Sequence, residues 1–355
     1  MGGASGAGGA GGAGRTPHPL ADVLKVMNVP AVTPTAPPRR RSLPRTDRVP
    51  RVGRGRLIAA LAVLVTLLMP LHGRIPDRGP HLGSLVETFL PWTAAAVAAL
   101  LAAALLRRSR VALAAVLLPA VTWAAIHGGT FLDRGAGGPA DLTVVTHNVD
   151  DANPDPVGTA RALAASGAQL IALEELTRPA LDQYERTLAG SHPYHAVVGT
   201  VGLWSTYPLR DTAGVPLVPW RSALRTTAET PGGPLTVYVA HLPSVRIGLG
   251  SGFTTGNRNE AAGRLAAELA SAPAGRTLLL GDFNATTDDR VLADVTDRFR
   301  SAQEVAGAGF GFSWPARFPV ARIDHILVQD LTPVSAWTLP ATASDHLPVA
   351  ASLRR

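Results

Sequence analysis

The sequence predicts an α/β domain that follows a hydrophobic segment of three membrane-spanning helices and a disordered N-terminal tail. Three observations support this fold class. The last 215 residues alternate short apolar runs with helical patterns. Three uncharged apolar stretches come before them. The first 56 residues are rich in Gly and Ala, then in Pro and Arg.

The tail, residues 1–56, contains ten Lys and Arg against two Asp and Glu, and it lacks aromatic residues. Such a segment cannot bury enough apolar surface to offset the entropy lost on ordering. We therefore predict a disordered basic tail over residues 1–56.

Charge is divided unevenly along the chain. The formal net charge is +7, yet residues 141–355 contain 17 basic and 21 acidic side chains. Because non-specific binding of nucleic acid depends on Lys and Arg at phosphates, a globally basic surface on the last domain is excluded. The chain contains no cysteine, which also excludes disulfides and thiolate metal sites.

Three apolar stretches indicate a membrane anchor over residues 57–132: Leu57 to Gly73, Thr88 to Leu106 and Val111 to Leu132. About 20 helical residues cross the hydrocarbon core of a bilayer. The first stretch is short and has Pro70 near its end, so a cleaved signal sequence is the alternative. The 56 residues before it favour a retained span, since a signal peptide begins with a short basic region.

The distribution of arginine predicts the orientation of these spans. Five arginines between residues 45 and 56 precede the first span, and Arg107, Arg108 and Arg110 fill the turn between the second and the third. Both clusters are expected in the cytoplasm. Three crossings then place the N-terminus inside and residues 141–355 outside the cytoplasm, at the cell membrane.

From Asp141 onward the pattern is that of alternating strands and helices. The turn-forming run Pro231-Gly232-Gly233-Pro234 predicts a hairpin, and therefore a mixed sheet. Helices are expected at Ala160 to Ser166 and Asn257 to Ala270. The predicted strands are Leu142 to Thr146, Leu170 to Leu173, Leu235 to Ala240, Thr277 to Leu280 and His325 to Val328.

Short polar motifs stand at the ends of the apolar, strand-like runs. Each is weak alone, but together they bring carboxylates, amides and imidazoles to strand ends. In chain order they are Thr146-His147-Asn148, Leu173-Glu174-Glu175, Ala240-His241-Leu242, Gly281-Asp282-Phe283-Asn284, Ile323-Asp324-His325 and Ser344-Asp345-His346.

These six motifs resemble the endonuclease/exonuclease/phosphatase superfamily, the metal-dependent phosphoesterases that include DNase I-like nucleases, inositol phosphatases and neutral sphingomyelinases. The resemblance covers residues 141–355. It implies a four-layer sandwich of two mixed β-sheets flanked by helices, and hydrolysis of phosphoesters with Mg²⁺ or Mn²⁺.

The resemblance implies metal ligation by Asn148, Glu175 and Asp345. Hard divalent ions prefer such oxygen ligands. The family's Gln-Glu pair is Glu174-Glu175 here, so a second carboxylate stands beside the expected ligand. Either acid remains a candidate ligand, with Glu175 preferred.

The same resemblance assigns catalytic roles to five residues. Asp282 and Asn284 position or activate the nucleophile and orient the phosphate, and His241 donates to a phosphate oxygen. His346 acts as general base or as a donor in the transition state, with an expected pKa near neutrality. Asp324 is expected to fix the tautomer and orientation of His346.

Other residues near the motifs are assigned more modest roles. His325 alternates away from Asp324 along its strand and is expected either to pack in the core or to support the site residues from behind. Thr206 replaces a basic residue of the family's Ser-Arg-Tyr-Pro segment, which removes a phosphate contact. Arg246, Arg258 and Arg322 are candidates for the cleft or for surface ion pairs.

We therefore predict a membrane-anchored, metal-dependent phosphoesterase that attacks phosphodiester bonds with activated water. The lipid bilayer and a phosphoester substrate, phospholipid-like or nucleic acid, are the expected partners, and no protein partner is evident. One alternative is an extracytoplasmic nuclease. The other is a membrane scaffold that binds phosphate ligands without turnover.

Overall fold

The computed structural model describes residues 52–355 except 78, 80, 136 and 249–251. The predicted tail lies outside these residues apart from 52–56, which form the start of the first helix. The helices are α1 (Val52–Leu71), α2 (Leu82–Thr88), α3 (Thr93–Leu106), α4 (Arg110–His127), α5 (Pro156–Ala164), α6 (Arg178–Leu188), α7 (Gly256–Ser271), α8 (Ala293–Thr296) and α9 (Ala302–Ala306).

The first helices are apolar on their outer surface and pack on each other through a small core. Ala62, Ala104 and Ala112 are fully buried between α1, α3 and α4. Leu64, Leu117 and Val121, in contrast, are 60%, 64% and 66% exposed. An apolar surface of this kind is typical of helices that contact lipid.

Among the described residues, two helices are long and apolar enough to cross a membrane, at Gly55–Arg74 and Arg110–Phe131. The second predicted stretch, by contrast, is not one straight helix. A break at Phe89 separates α2 from Leu90–Leu106, and the two parts meet at 71°. They make a third crossing only if the bent pair counts as one span. Pro91, which has no backbone N–H to donate, lies beside this break.

The last part of the chain forms two six-stranded sheets. The strands are β1 (Leu142–Asn148), β2 (Leu170–Glu174), β3 (Tyr194–Val198), β4 (Val201–Ser205), β5 (Leu209–Val218), β6 (Arg221–Thr230), β7 (Gly233–Val239), β8 (Ile247–Gly248), β9 (Gly252–Phe253), β10 (Thr277–Asp282), β11 (Arg300–Ser301), β12 (Asp324–Gln329), β13 (Thr332–Thr338) and β14 (Val349–Arg354).

Both sheets are mixed, as predicted. The first has the order β13-β14-β1-β2-β4-β3 and the second β11-β12-β10-β7-β6-β5, with β8 and β9 as a separate hairpin. Each contains one parallel pair at its centre, β1 with β2 and β7 with β10. The predicted hairpin joins β6 to β7.

Three cores stack the sheets and helices into four layers. One core fills the space between the sheets, with Val144 and Leu280 both fully buried there. A second packs α5 and α6 on the outer face of the first sheet. A third packs α7 on the outer face of the second, through Leu265. The predicted sandwich of two mixed sheets flanked by helices is thus confirmed, with apolar helices before it.

Candidate active site

The parallel strand pairs bring their carboxyl ends to one edge of the sandwich, where the polar motifs meet. A cleft of ≈ 530 Å³ opens there. Five of the eight predicted site residues line it directly: Glu175, Asp282, Asn284, Asp345 and His346. The other three lie buried behind them: Asn148, His241 and Asp324.

Asp282 lies at the centre of the site, at the end of β10, and is 1% exposed. Its Oδ2 accepts hydrogen bonds from Asn148 Nδ2 (3.0 Å) and Asn284 Nδ2 (3.2 Å), and its Oδ1 accepts from the Asn284 backbone N–H (2.9 Å). Burial and the nearby negative charge of Asp324 raise the pKa of Asp282 to about 7. A carboxylate with such a pKa is suited to accept a proton near neutral pH.

Gly281 allows this strand end to approach β7. Its φ is +140°, and a Cβ atom there would lie 1.8 Å from the carbonyl oxygen of Ala240. Only glycine combines this backbone conformation with so close an approach. The glycine therefore sets the position of the Asp282 carboxylate relative to His241.

Asp324 and His346 form a buried charged pair beside Asp282. His346 Nδ1 lies 2.8 Å from Asp324 Oδ2, and its Nε2 lies 3.9 Å from Asp282 Oδ2. Burial alone would lower the pKa of His346, but Asp324 outweighs it and the pKa rises to about 10. Burial alone would raise the pKa of Asp324, but the attraction of His346 and hydrogen bonds bring it below its usual value. The imidazole is consequently protonated at neutral pH, and its Nε2–H group faces Asp282.

The two neighbouring acids of the Glu174-Glu175 pair have different environments. Glu175 has φ +61° and lines the cleft, where its Oε2 accepts from the Asp151 backbone N–H (3.2 Å). Glu174 is fully buried, and its Oε1 accepts from Thr146 Oγ1 (2.9 Å). Burial and the charge of Asp324 raise its pKa well above the usual value, so a neutral acid stands where the family has Gln.

His241 lies between the carboxylates of Glu175 and Asp282. Its Nε2 is 3.5 Å from Glu175 Oε1 and 3.7 Å from Asp282 Oδ2. Within the described part of the chain, neither ring nitrogen has a hydrogen-bond partner. Burial, then the positive charges of Arg221 and His346, lower its pKa well below the usual value. The imidazole is therefore neutral, and its Nε2 faces the Glu175 and Asp282 carboxylates that line the cleft.

The remaining predicted site residues are Asn148, Asn284 and Asp345. Asn148 Oδ1 accepts from the Asp150 backbone N–H (3.0 Å), which holds its amide toward Asp282. Asn284 has φ +48° and donates to the Leu242 carbonyl (3.0 Å). The Asp345 side chain is 57% exposed and accepts from Trp314 Nε1 (3.2 Å).

The structure also locates His325 and the three arginines that the sequence placed near the motifs. His325 is buried, stacks on Phe283 and contacts the Ala285 carbonyl, so the packing role predicted for it is confirmed. Of the three candidate arginines, Arg246 alone lines the cleft. Arg258 is buried against Asp289 and Arg322 pairs with Glu304, and neither lines the cleft, so of the two alternatives left open for them the ion pair is the one observed.

Sequence reasoning missed several residues that line the cleft. Thr88 and Phe89 come from the segment between the first apolar helices, and Phe253 comes from the β8–β9 hairpin. Arg221, at the start of β6, lies close enough to raise the positive potential around His241. No local motif marks these residues, because only tertiary packing brings them to the strand ends.

Two groups of side chains bring three potential metal-ligand atoms within 4.8 Å of one another in the described residues. One is Asp282, Asp324 and His346, and the other is Asp150, Asp151 and Glu175. The imidazole of the first group is protonated and paired, which disfavours it as a ligand. The second consists only of carboxylate oxygens, the donors that Mg²⁺ and Mn²⁺ prefer. The site therefore fits a hard divalent ion on the Glu175 side of the cleft.

Comparison with proteins of known structure supports the fold. A conserved protein of unknown function from Enterococcus faecalis V583 has 17% identity and a TM-score of 0.51, covering 60% of this chain and 99% of its own. D. rerio TDP2 complexed with single strand DNA product has 18% identity, a TM-score of 0.51 and coverage of 60% and 99%. An endonuclease/exonuclease/phosphatase family protein from Bacteroides thetaiotaomicron has 17% identity, a TM-score of 0.50 and coverage of 61% and 98%.

Sequence comparison identifies the family. No curated protein matches the chain significantly. The model of the Endonuclease/Exonuclease/phosphatase family matches residues 145–346, which span the first and last polar motifs and more than half of the chain. The chain therefore belongs to the endonuclease/exonuclease/phosphatase family and has the fold of its phosphoric ester hydrolases.

Proposed function

We propose that this protein is a membrane-anchored, divalent-metal-dependent phosphodiesterase that hydrolyses phospholipid-like phosphodiesters by attack of water on phosphorus. The observation that carries the proposal is the arrangement of Asp282 between two different imidazoles. His346 is protonated by its pairing with Asp324, and His241 is kept neutral by burial. One cleft therefore contains a base and two distinct donors.

We assign the base to Asp282. Its pKa, raised to about 7, makes the carboxylate a stronger base than an ordinary Asp while about half of the molecules keep it ionised at neutral pH. Asn148 and Asn284 hold the carboxylate by hydrogen bonds, which fixes its direction toward the cleft. Such fixed orientation lowers the entropic cost of reaching the transition state.

We assign donation to His241 and His346. Charge builds on the phosphate oxygens in the transition state, and donors already aimed at that position stabilise it. His241 has an unpaired Nε2 beside Glu175 and Asp282, and the His346 Nε2 faces the same carboxylate of Asp282. Of the two roles expected for His346, we therefore favour the donor, because a group with a pKa of about 10 is a weak base to activate water at neutral pH.

We assign the metal to Glu175, together with Asp150 and Asp151, whose carboxylate oxygens lie within 4.8 Å of one another and of Glu175; Asn148 and Asp345 are further ligand candidates by resemblance to the family. A divalent ion, when bound, would neutralise charge on the non-bridging oxygens of the phosphate. Burial of Glu174, in a neutral form, leaves Glu175 as the cleft-facing acid of the pair. Mg²⁺ and Mn²⁺ are the ions that suit carboxylate oxygens.

Two observations favour a phospholipid-like substrate over nucleic acid. The cleft is lined by Phe89, Val245, Phe253 and Ile323, and its lining includes one arginine, Arg246. The domain over 141–355 has an acidic surplus, whereas polyanion binding requires many phosphate contacts. Apolar helices with exposed apolar side chains support a place at the bilayer, with the N-terminus cytoplasmic and residues 141–355 outside, as the arginine distribution predicts.

The test is hydrolysis by the purified full-length protein in detergent, with Mg²⁺, Mn²⁺ or chelator, using an aryl phosphodiester, phospholipid vesicles and single-stranded DNA. Metal-dependent turnover that is lost in His346→Ala would support the reaction. DNA hydrolysis that falls by about 10³ or more between 50 and 200 mM salt, with no lipid turnover, would identify a nuclease instead. Ligand binding without product formation would favour the scaffold.

A further inference from the structure

The segment Leu82–Trp92, here called the wall segment, joins the first apolar helix to α3 and borders the cleft. It consists of α2 and the 3-10 turn Leu90–Trp92. Thr88 and Phe89 line the same cleft as Asp282 and His346. Part of the presumed membrane anchor thus supplies part of the active-site surface.

A buried polar cluster fixes the wall segment to the loop after β10. Ser84 Oγ donates to Asp289 Oδ2 (2.6 Å) and accepts from Arg258 Nη2 (3.0 Å), and Arg258 Nη1 donates to Asp289 Oδ2 (2.8 Å). All three side chains are 1% exposed or less. Removing one partner of such a buried network leaves a charge unpaired, which is strongly destabilising. The cluster therefore holds α2 in a defined position.

A second set of contacts holds the other end of the segment. Glu87 is fully buried and pairs with Arg290 (2.6 Å), while its carbonyl accepts from Thr286 Oγ1 (3.3 Å). Trp92 Nε1 donates to the Val320 carbonyl (2.8 Å). The wall segment is consequently attached at both ends to the loops that surround the cleft.

The wall segment is also connected to the proposed base. Arg258, which contacts Ser84, donates from Nη1 to the Asn284 carbonyl (3.1 Å). The Asn284 backbone N–H donates in turn to Asp282 Oδ1 (2.9 Å). Ser84 and the Asp282 carboxylate are therefore linked by successive hydrogen bonds, of which the first is buried and the other two are partly buried.

The cleft next to Phe89 is apolar as well as polar. Phe89 shares it with the apolar side chains of Phe253, Val245 and Ile323. The charged or titratable residues that line the same cleft are Asp150, Glu175, Arg246, Asp282, Asp345 and His346. Burying hydrocarbon there would gain about 0.8 kcal/mol per CH₂ group. A substrate whose phosphate carries a hydrocarbon substituent would use this surface, and a substrate with only a small ester group would not.

We propose that the wall segment is part of the active site and that Phe89 determines specificity for phosphodiesters that carry a hydrocarbon chain on the phosphate. Ser84 and Glu87 act as positioning residues that hold Phe89 against the cleft. The inference rests on the proposed phosphodiesterase function. It extends that function by assigning part of the substrate site to the anchor.

The test uses the full-length protein in detergent and two substrates with the same leaving group, 4-nitrophenyl methyl phosphate and 4-nitrophenyl octyl phosphate, the latter below its micellar concentration. The measured quantity is the octyl-to-methyl ratio of kcat/KM. Phe89→Ala is expected to lower this ratio about tenfold through the KM of the octyl ester, the effect of losing about two buried methylene contacts. Phe89→Leu should retain most of the ratio.

Two controls make the result specific. Leu82→Ala changes an apolar residue of the same segment that is 51% exposed and does not line the cleft, so its ratio should equal that of the wild type. The ratio compares two substrates on one preparation, and a loss of folded protein therefore cancels. Ser84→Ala should lower the ratio in the same direction as Phe89→Ala if the segment is positioned through Ser84.

The outcomes separate this inference from the function on which it rests. If the wild type shows no chelator-sensitive turnover of the methyl ester, the phosphodiesterase proposal fails. If the wild type hydrolyses both esters and Phe89→Ala leaves the ratio unchanged, the role of the wall segment is wrong while the phosphodiesterase proposal stands.

Discussion

Replacing Asp324 by Asn tests the electrostatic role of the buried pair. The carboxylate of Asp324 lies 2.8 Å from His346 Nδ1 and raises the pKa of that imidazole to about 10 against an ordinary value of 6.5. Asn has nearly the same shape and retains an oxygen to accept from Nδ1, but it carries no charge. In the variant, burial still lowers the pKa of His346, but the Asp324 charge that opposed this effect is gone. The pKa of His346 should therefore fall to 6.5 or below.

The size of the effect follows from the two pKa values. At pH 8.5 an imidazole with a pKa of about 10 is almost fully protonated. At a pKa of 6.5, only about one in a hundred molecules retains the proton at that pH. If protonated His346 donates in the transition state, Asp324→Asn should lose about 100-fold in kcat/KM at pH 8.5. At pH 6, where most of the variant is still protonated, the loss should be below about fivefold.

The sign of the pH dependence is fixed by the direction of the shift. The pKa of His346 is raised in the folded protein, so its protonated form, and the activity that depends on it, is present at neutral pH and lost as pH rises through about 10. Asp324→Asn moves this alkaline limb toward neutral pH. The rising limb on the acid side, which we assign to Asp282 near pH 7 in the wild type, should move to lower pH in the variant, because the charge of Asp324 contributes to the raised pKa of Asp282.

The assay is the pH profile of kcat/KM for an aryl phosphodiester between pH 5.5 and 10.5. Asp330→Asn is a matched control, because Asp330 is an exposed acid just beyond the same strand, β12. Its profile should match that of the wild type. An Asp324→Asn profile that is lowered equally at all pH values, with an unmoved alkaline limb, would refute the reasoning and leave Asp324 a purely geometric role.

Three further predictions concern the metal, the acidic pair and the strand end. Chelation should abolish turnover and added Mg²⁺ or Mn²⁺ should restore it; activity that persists after dialysis against chelator would contradict a metal-dependent mechanism. Glu175→Gln should lower kcat/KM by about 100-fold or more. Glu174→Gln replaces a buried neutral acid by a group of the same shape and should change kcat/KM less than about threefold. Equal losses for the two variants in steady-state assays would show that our distinction between the two acids is mistaken. Gly281→Ala should destabilise the fold by about 3 kcal/mol or more, because its Cβ would overlap the Ala240 carbonyl, and an unchanged urea midpoint would speak against this close approach.

Residue pattern alone predicted the central strands. The five predicted strands and both predicted helices are present, with ends that differ by a few residues, as in β1 and α7. These elements have the strongest apolar periodicity, because they are buried on one or both faces. Seven other strands of the two sheets were not predicted: β3, β4, β5, β6, β11, β13 and β14. Of these, the edge strands β3 and β5 carry exposed residues, and pairing in the sheet rather than local propensity determines their conformation.

The second apolar stretch illustrates the limit of a prediction from hydropathy. Its composition predicts a span over Thr88 to Leu106. In the structure the chain bends by 71° at the start of this stretch, and α2, just before it, contacts the loops around the cleft. Glu87, one residue before the predicted span, is buried against Arg290. A charge in that position is stable because of a partner more than 200 residues away, and a local pattern contains no information about such a partner.

The sequence by itself determined the order of the polar motifs, their place at strand ends and the family to which they point, because strand periodicity and the residue types needed at a phosphate are local properties. Only the tertiary structure decided how those residues differ. Burial makes Glu174 and His241 neutral, and proximity to Asp324 keeps His346 charged. Burial and charge proximity depend on what the rest of the chain places nearby. For the same reason, the structure alone shows that Phe89, from the anchor, lies in the cleft.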